Sequence, residues 1–287
     1  IKTLKNKASS DFYAHGVEEL FEQIMAMSRK MQYKLLTEEG VNNDIGFDIV
    51  DKIPMDGAKV VYQGIPGAYS QQAATEYFGD KAEYLNVTTF REAMKYVRDG
   101  KADYAVLPME NSSAGIVTDV YDLLVEFSNY IVDTFDVKIE HCLCGLKGSR
   151  IEDIHEVYSH PQALAQCSDM ISSHNWKSIQ HSNTAVAAKM LAKMDKENGV
   201  TDAAAICSTI AANMYGLDIL QEDIQNNNQN RTRFAALSKE MIIPKNAEKI
   251  SLCFSLPHTT GSLYSVLARF AMTGLNLTKI ESRPLKE

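Results

Sequence analysis

The sequence predicts an α/β protein whose main body is divided into two lobes. Three observations point there. From Lys59 to Leu237, short apolar runs alternate with stretches whose apolar residues recur at helical spacing, the pattern of strands followed by covering helices. The alternation lasts roughly 180 residues, which suits two cores better than one. The segment 217–237 then reads as a return from the second lobe, because it ends on the strand-like run Phe234-Ala235-Ala236-Leu237.

Taken in order, residues 17–36 form the first helix. Leu20, Ile24, Ser28, Met31 and Leu35 share one face, and Phe21 and Met25 widen it. Ser28 and Gln32, one turn apart on or beside that face, either meet a partner helix or line a polar pocket. Residues 38–57 mix Asn, Asp, Gly and Pro without period and read as a linker. A strand at 59–63 and a helix at 70–78 follow, then a helix through Phe90, Ala93, Met94 and Val97. A buried strand at 104–107 gives way to a turn from Pro108 to Gly115 and a helix at 117–127. Strands are expected at 130–135 and 137–143. Val157-Tyr158 leads through Ser159-His160-Pro161-Gln162 into a helix with Leu164, Cys167 and Ile171 inward. Thr184 opens another helix, with Val186, Met190 and Met194 as its apolar positions. Ala203–Ile206 is a strand, Ser208 caps a short helix and Gly216 ends it. The alternation predicts largely parallel sheets. Residues 250–256, 263–272 and 275–280 read as strand, helix and strand, half of a small α+β module. A lone helix at the start and half a module at the finish make a piece of a longer protein the expectation.

Composition narrows the function. Of the 287 residues, 45% are apolar and 23% charged, as in ordinary globular proteins. A net charge of −8 argues against nucleic acid or an anionic membrane as partner. An anionic substrate must therefore be held by local donors. No run is long and apolar enough to span a bilayer, and the first residues carry no signal-peptide pattern. The five cysteines lack a C-x-x-C spacing, so reduced thiols and a cytoplasmic location are expected. His141-Cys142-x-Cys144 does not make a metal site, because it lies in an alternating strand pattern without a second ligand cluster.

Four polar turns stand between strands and helices: 67–70, 111–115, 159–162 and 182–184. In a β/α fold such turns lie at the carboxyl ends of strands and present N–H groups of helix starts, which suits anions. None has a Walker Gly-Lys-Ser/Thr or a spaced G-x-G-x-x-G, so a small carboxylate is favoured over a nucleotide. The run Asn226-Asn227-Asn228-Gln229-Asn230-Arg231-Thr232-Arg233-Phe234 reads as an amide-rich loop that holds Thr232 at its junction with a strand. His160 is expected in a positional role and Glu110 in support of the Asn111 turn.

These residues resemble the prephenate dehydratase family from about Lys59 to Leu237. Gly64-x-x-Gly67-x-Tyr69-Ser70 is similar to its opening turn. Pro108-x-Glu110-Asn111-Ser112-Ser113-x-Gly115, with Asp119-Val120-Tyr121-Asp122-Leu123-Leu124, is similar to its second motif. Tyr158-Ser159-His160-Pro161-Gln162 and Asn230-Arg231-Thr232-Arg233-Phe234 match two more, and Ser182-Asn183-Thr184-Ala185 matches its Ser/Thr-rich turn more loosely. Gly261-Ser262-Leu263 and Glu281-Ser282-Arg283-Pro284 resemble the effector motifs of the family's phenylalanine-sensing ACT domain, with Ser262 where Ala is commoner. The first helix resembles the last helix of a fused chorismate mutase domain, with Ser28 and Gln32 as its polar pair. The arginine-bearing helices of that domain have no match.

The resemblance implies a periplasmic-binding-protein-like two-lobed dehydratase domain at 58–238. It follows a mutase-type helical part (1–45) and a linker (46–57) and precedes a partial ferredoxin-like ACT domain (248–287). It implies conversion of prephenate to phenylpyruvate, with Thr232 assisting loss of the ring hydroxyl. Gly67, Ser70, Asn111, Ser112, Ser113, Ser159, His160, Gln162, Thr184 and Arg233 would bind substrate. No metal or organic cofactor is implied. Phenylalanine as effector, a homodimer or homotetramer, and a bifunctional parent with mutase activity are. Arogenate as substrate, a non-catalytic phenylalanine sensor and an exported solute receptor are the alternatives.

Overall fold

The computed structural model describes residues 1–39, 46, 48–198 and 202–283. The chain forms two compact units, Phe47–Ser251 and the two ends, Ile1–Gly46 with Leu252–Glu287. The N-terminal end begins with α1 (Lys2–Lys5) and α2 (Asp11–Glu38). The predicted helix is thus extended upstream. Its expected apolar face is exposed: Leu20, Ile24, Met31 and Leu35 are open to solvent, as are Ser28 and Gln32.

The central unit opens with β1 (Asp48–Val50), a strand inside the expected linker. The first lobe continues with β2 (Lys59–Gln63), α3 (Tyr69–Phe78), β3 (Glu83–Val87), α4 (Phe90–Arg98), β4 (Tyr104–Asn111), β5 (Gly115–Ile116), α5 (Thr118–Phe127) and β6 (Tyr130–Lys138). The second lobe contains β7 (Cys142–Gly145), β8 (Glu156–Ser159), α6 (Pro161–Gln166), α7 (Ser168–Ser173), β9 (Lys177–Gln180), α8 (Thr184–Asn198), β10 (Ala203–Cys207), α9 (Thr209–Tyr215) and β11 (Asp218–Gln221). The chain then returns: β12 (Arg231–Ser238) joins the first sheet, and β13 (Ile242–Pro244) pairs with β1.

The first sheet has the order β3-β2-β4-β12-β6, and the second β11-β7-β10-β8-β9. Only part of each is parallel. β12 runs antiparallel to both β4 and β6, and β7 antiparallel to both β10 and β11. These two strands follow the crossings between lobes, where chain direction is set by re-entry rather than by a covering helix. Alternate residues of β2 feed opposite cores, Val60 and Tyr62 on one face and Val61 on the other. The second sheet is likewise filled on both faces, with Ala205 and Cys207 on one and Ala204 and Ile206 on the other. Both sheets are therefore sandwiched between helices and loops, leaving their edges and strand ends to carry polar chemistry.

Several boundaries differ from the sequence reading. β4 runs on through Pro108 to Asn111, so the expected turn starts later. The single strand expected at 137–143 is broken at 139–141, where the chain passes between lobes. The helix after Pro161 breaks at Cys167, although Leu164, Cys167 and Ile171 are all buried as expected. On α8 the fully buried face is Ala185, Ala187, Ala188 and Leu191, while Val186, Met190 and Met194 are only half-buried. Among the described residues of the end unit, 262–273 is helical (α10, Ser262–Thr273), but 250–256 and 275–280 form no strands. A strand is stable only where a neighbour takes up its N–H and C=O groups. Lys30 Nζ on α2 donates to the Met272 carbonyl on α10 at 3.2 Å.

Candidate active site

Two chain segments join the lobes, 139–141 outward and 222–230 on return, and they are tied together. Ile139 N–H donates to the Asn230 carbonyl (2.9 Å) and Ile224 N–H to the His141 carbonyl (3.0 Å). His141 N–H donates to Gln225 Oε1 at 2.8 Å. The amide-rich run is therefore not a solvated loop throughout: Asn230 is 1% exposed and Gln225 is buried.

At the end of β4, Asn111 lies across from Thr232 of β12. The turn that follows is a β4–β5 hairpin, with Asn111 opposite Gly115, rather than a strand-to-helix turn. Asn111 Oδ1 accepts from the backbone N–H groups of Ser113 (3.0 Å) and Ala114 (2.9 Å). These donors fix which way the amide faces. Its Nδ2 must then donate, and it does so to Asn230 Oδ1 (2.9 Å) and Thr232 Oγ1 (2.8 Å). Thr232 accepts this bond, and among the described residues none takes the proton of its own hydroxyl. That side chain is buried at 8% exposure. A buried hydroxyl so placed is a donor waiting for an external acceptor.

Ser112 meets Arg231 twice, its N–H donating to the carbonyl (2.9 Å) and its Oγ accepting from the N–H (3.0 Å). Ser113 Oγ reaches Asn230 Oδ1 at 3.4 Å. From Asn230 the bonding continues into the second lobe: Nδ2 donates to Gln166 Oε1 (3.1 Å), which also contacts His141 Nε2 (2.9 Å). His141 Nδ1 lies 2.8 Å from the Tyr69 hydroxyl, which donates to the Glu140 carbonyl at 2.6 Å. Burial pushes the His141 imidazole below its ordinary range and the Tyr69 phenol well above its own. A hollow of about 140 Å³ beside this network is lined by Ser113, Gln166, Asn230 and further amides. A larger one, about 450 Å³, lies on the second lobe, but Asp169 and Asp223 in its wall oppose an anionic ligand.

Asn111, Ser112, Ser113 and Thr232 are thus brought together as expected. The other expected residues are dispersed. Gly67, at φ +90°, packs on α9: a Cβ there would come within 3.1 Å of Ala211 Cα. Its N–H is taken by Gln71 Oε1 (2.7 Å) and its carbonyl by Ser208 Oγ (3.2 Å), so it joins the lobes rather than offering an anion its N–H. Ser70 is buried in the first turn of α3. Ser159 is fully buried, and its Oγ donates to the Ile206 carbonyl at 2.6 Å. Its hydroxyl is consumed inside the sheet, contrary to a binding role.

His160 caps α6, its Nδ1 accepting from Gln162 N–H at 3.2 Å, and burial lowers its pKa. Nε2 therefore carries the ring proton, with Gln162 half-buried beside it. Thr184 is buried at the start of α8, where Asn183 Oδ1 supplies the cap to Ala185 N–H (2.8 Å). Arg233 follows Thr232 on a strand, so it points to the opposite face. There its Nε donates to Asp136 Oδ1 at 3.0 Å, and that ion pair directs it away from Thr232.

In the end unit, Gly261, Ser262 and Leu263 open α10. Ser262 Oγ is 2.7 Å from Thr259 Oγ1, and Leu263 is exposed. Glu281, Ser282 and Arg283 are exposed and outside regular structure, and Pro284 lies outside the described residues.

Sequence reading did not single out Tyr69, His141, Gln166 or Asn230 as site residues. Tyr69 and Asn230 sat in quoted motifs. His141 stood in a stretch read as one alternating strand, which hid its place at the crossing between lobes.

Residues 60–242 match the family model described as prephenate dehydratase. An arogenate dehydratase/prephenate dehydratase of Arabidopsis thaliana is 42% identical over 79% of this chain and 57% of its own length. The chain thus spans somewhat over half of that relative. A bifunctional chorismate mutase/prephenate dehydratase of Aquifex aeolicus is 33% identical over 100% of this chain and 78% of its own. Among solved structures, prephenate dehydratase from Arthrobacter aurescens, in complex with L-Phe, is 29% identical with a TM-score of 0.66, covering 79% of this chain and 76% of that one. A protein described as a quorum quenching acylase, GqqA, has 30% identity and a TM-score of 0.67, covering 79% of this chain and 82% of that one.

Proposed function

The chain belongs to the prephenate dehydratase family, and on that premise we propose that it converts prephenate to phenylpyruvate, water and carbon dioxide. The ring C–O bond breaks as the electron pair of the ring C–carboxylate bond moves into the ring, which becomes aromatic. The departing hydroxyl needs a proton, and a positioned donor there lowers the barrier. One observation carries the reading: Asn111, locked by two backbone N–H groups, donates to Thr232 Oγ1 and leaves the threonine proton for the substrate. A threonine hydroxyl is a poor acid, so Thr232 acts as a hydrogen-bond donor to the leaving oxygen rather than as a full proton source. Asn111, whose two Nδ2 protons go to Asn230 and Thr232, acts through Thr232, and Ser113, His160 Nε2–H and Thr184 are the candidate partners of the substrate's carboxylates and carbonyl.

Thr232→Val keeps shape and removes the donor. Turnover of prephenate, followed as phenylpyruvate, is expected to fall about 10²–10³-fold, the usual cost of one transition-state donor. An unchanged rate in the folded variant would refute the role. A second reading, arogenate as substrate, draws support from the relative whose name carries both activities. Parallel assays for phenylpyruvate and phenylalanine decide between them.

For the wider chain we read 58–238 as the dehydratase domain, 1–45 as the end of a mutase-type domain after which 46–57 links, and 248–287 as part of an ACT domain. Phenylalanine as effector, a homodimer or homotetramer, a parent protein with mutase activity and a cytoplasmic location complete the proposal. The L-Phe bound to the Arthrobacter structure supports the effector. No described helix is long and apolar enough to cross a membrane.

A further inference from the structure

We propose that His141, held as the Nε2–H tautomer, is a positioning residue that orients Thr232 through Gln166, Asn230 and Asn111. This rests on the dehydratase reading of Thr232, but its hydrogen-bond direction can be measured separately.

Amide and imidazole orientations follow from what surrounds them, and here each step leaves one choice. Asn111 Oδ1 accepts from two backbone N–H groups, which cannot reverse, so its Nδ2 faces Asn230 and Thr232. Asn230 must answer with Oδ1 and therefore turns Nδ2 to Gln166. Gln166 must answer with Oε1. That oxygen also faces His141 Nε2 at 2.9 Å, so the nitrogen must bear a proton. A neutral His141 then has a lone pair on Nδ1, directed at Tyr69 OH. The phenol has one proton and two acceptors, Nδ1 at 2.8 Å and the Glu140 carbonyl at 2.6 Å, which share it.

Direction is thus fixed from the Asn111 end of a chain spanning both lobes. The backbone of residue 141 is held independently, by Gln225 and Ile224, so the ring is not needed to keep the crossing in place. Its contribution is to hold Gln166 acceptor-forward. Without it the Gln166 amide can turn over, Asn230 follows, and Asn111 loses the partner that shares its Nδ2 with Thr232. Misplacement of a donor by a change far from the chemistry can cost about 10²-fold in rate.

The experiment combines nitrogen NMR of histidine-labelled full-length chain with kinetics. At neutral pH the His141 signals should be those of a neutral Nε2–H ring. A neutral Nδ1–H ring, or a cation, would overturn the proposal. In Asn230→Asp the carboxylate can only accept, so Gln166 must turn its NH₂ to residue 230. Its NH₂ then faces His141 Nε2, and the ring proton should move to Nδ1; an unmoved proton would count against the directed chain. In turnover, His141→Leu should lose roughly 10–100-fold in kcat with KM within about threefold. His141→Gln, whose amide can donate to Gln166 and accept from Tyr69, should recover most of that loss. Equal kcat for the parent and a folded Leu variant would sink the positioning role. Should the Leu variant not fold, the tautomer and its exchange in Asn230→Asp decide. If the tautomer stands while Thr232→Val leaves turnover unchanged, the dehydratase role of Thr232 fails and the network does not.

Discussion

Asn111→Asp is the most discriminating single substitution. The aspartate keeps an oxygen for Ser113 and Ala114 N–H, so the hairpin turn retains its two bonds at 3.0 and 2.9 Å. The other oxygen replaces a donor that served Asn230 and Thr232 at 2.9 and 2.8 Å. Thr232 can now bond to residue 111 only by giving its own proton. To donate to substrate it must first break that charge-assisted bond, worth about 1.5–3 kcal/mol. This corresponds to roughly 10–150-fold in kcat. The new charge also opposes a dianionic substrate, so KM should rise, and more so at low ionic strength. Steady-state kinetics on prephenate at two salt concentrations measures both. A kcat within threefold of the parent would refute the assignment of donors and acceptors around Thr232. Gln166→Glu is the matched control: residue 166 uses only its oxygen toward Asn230 and His141, so a carboxylate there preserves both contacts.

Two further outcomes follow from packing and burial. Gly67→Ala places a side chain at φ +90° and a Cβ 3.1 Å from Ala211 Cα, and such strain costs about 1–3 kcal/mol. The urea midpoint should fall accordingly, and an unchanged midpoint would show that α9 yields freely. Burial holds His141 and His160 below the ordinary histidine range, so the unfolded chain takes up these protons first as pH drops below about 6.5. More protons on the unfolded state means stability rises with pH, here by up to about 1.4 kcal/mol per pH unit for each ring until its folded pKa is passed. Urea midpoints between pH 7.5 and 5 should therefore slope less in His141→Gln than in the parent; equal slopes would contradict a buried neutral His141.

What the sequence made legible was whatever repeats locally. The β/α alternation, the Ser208 cap, the Gly216 stop and the two polar turns around Asn111 and Thr232 are written in adjacent residues. β3 and β9 escaped because edge strands need only one buried side, and Glu83-Tyr84-Leu85-Asn86-Val87 and Lys177-Ser178-Ile179-Gln180 look like turns. Ser159 was expected to bind substrate from a polar turn, whereas its hydroxyl is taken by the Ile206 carbonyl on the neighbouring strand β10, a partner 47 residues away that adjacent residues do not reveal. Arg233 could have been judged correctly: once 231–238 is a strand, Thr232 and Arg233 cannot face the same way. The relay could not have been found. His141, Gln166 and Asn230 are separated by 25 and 64 residues, and each alone reads as a solvated polar side chain.

The composition of the site follows from the charge of the protein. With a net charge of −8, a dianion is attracted only by groups close to it. Arg231 and Arg233, the cations on either side of Thr232 in sequence, alternate with it on β12 and so face the other way, and Arg233 is committed to Asp136 there. What remains near Thr232 is neutral: amides, a hydroxyl and backbone N–H groups. Neutral donors hold an anion well only if they cannot turn away, since a side-chain amide reversed by half a turn presents an oxygen instead. A hydroxyl oriented by an asparagine that backbone N–H groups anchor meets that condition, and a lone surface serine does not. The same anchoring explains why polar residues with no contact to the ligand are needed. Asn230, Gln166 and His141 extend that fixed direction across the segments that join the lobes, so Thr232 and Asn230 share the Asn111 Nδ2 in one arrangement.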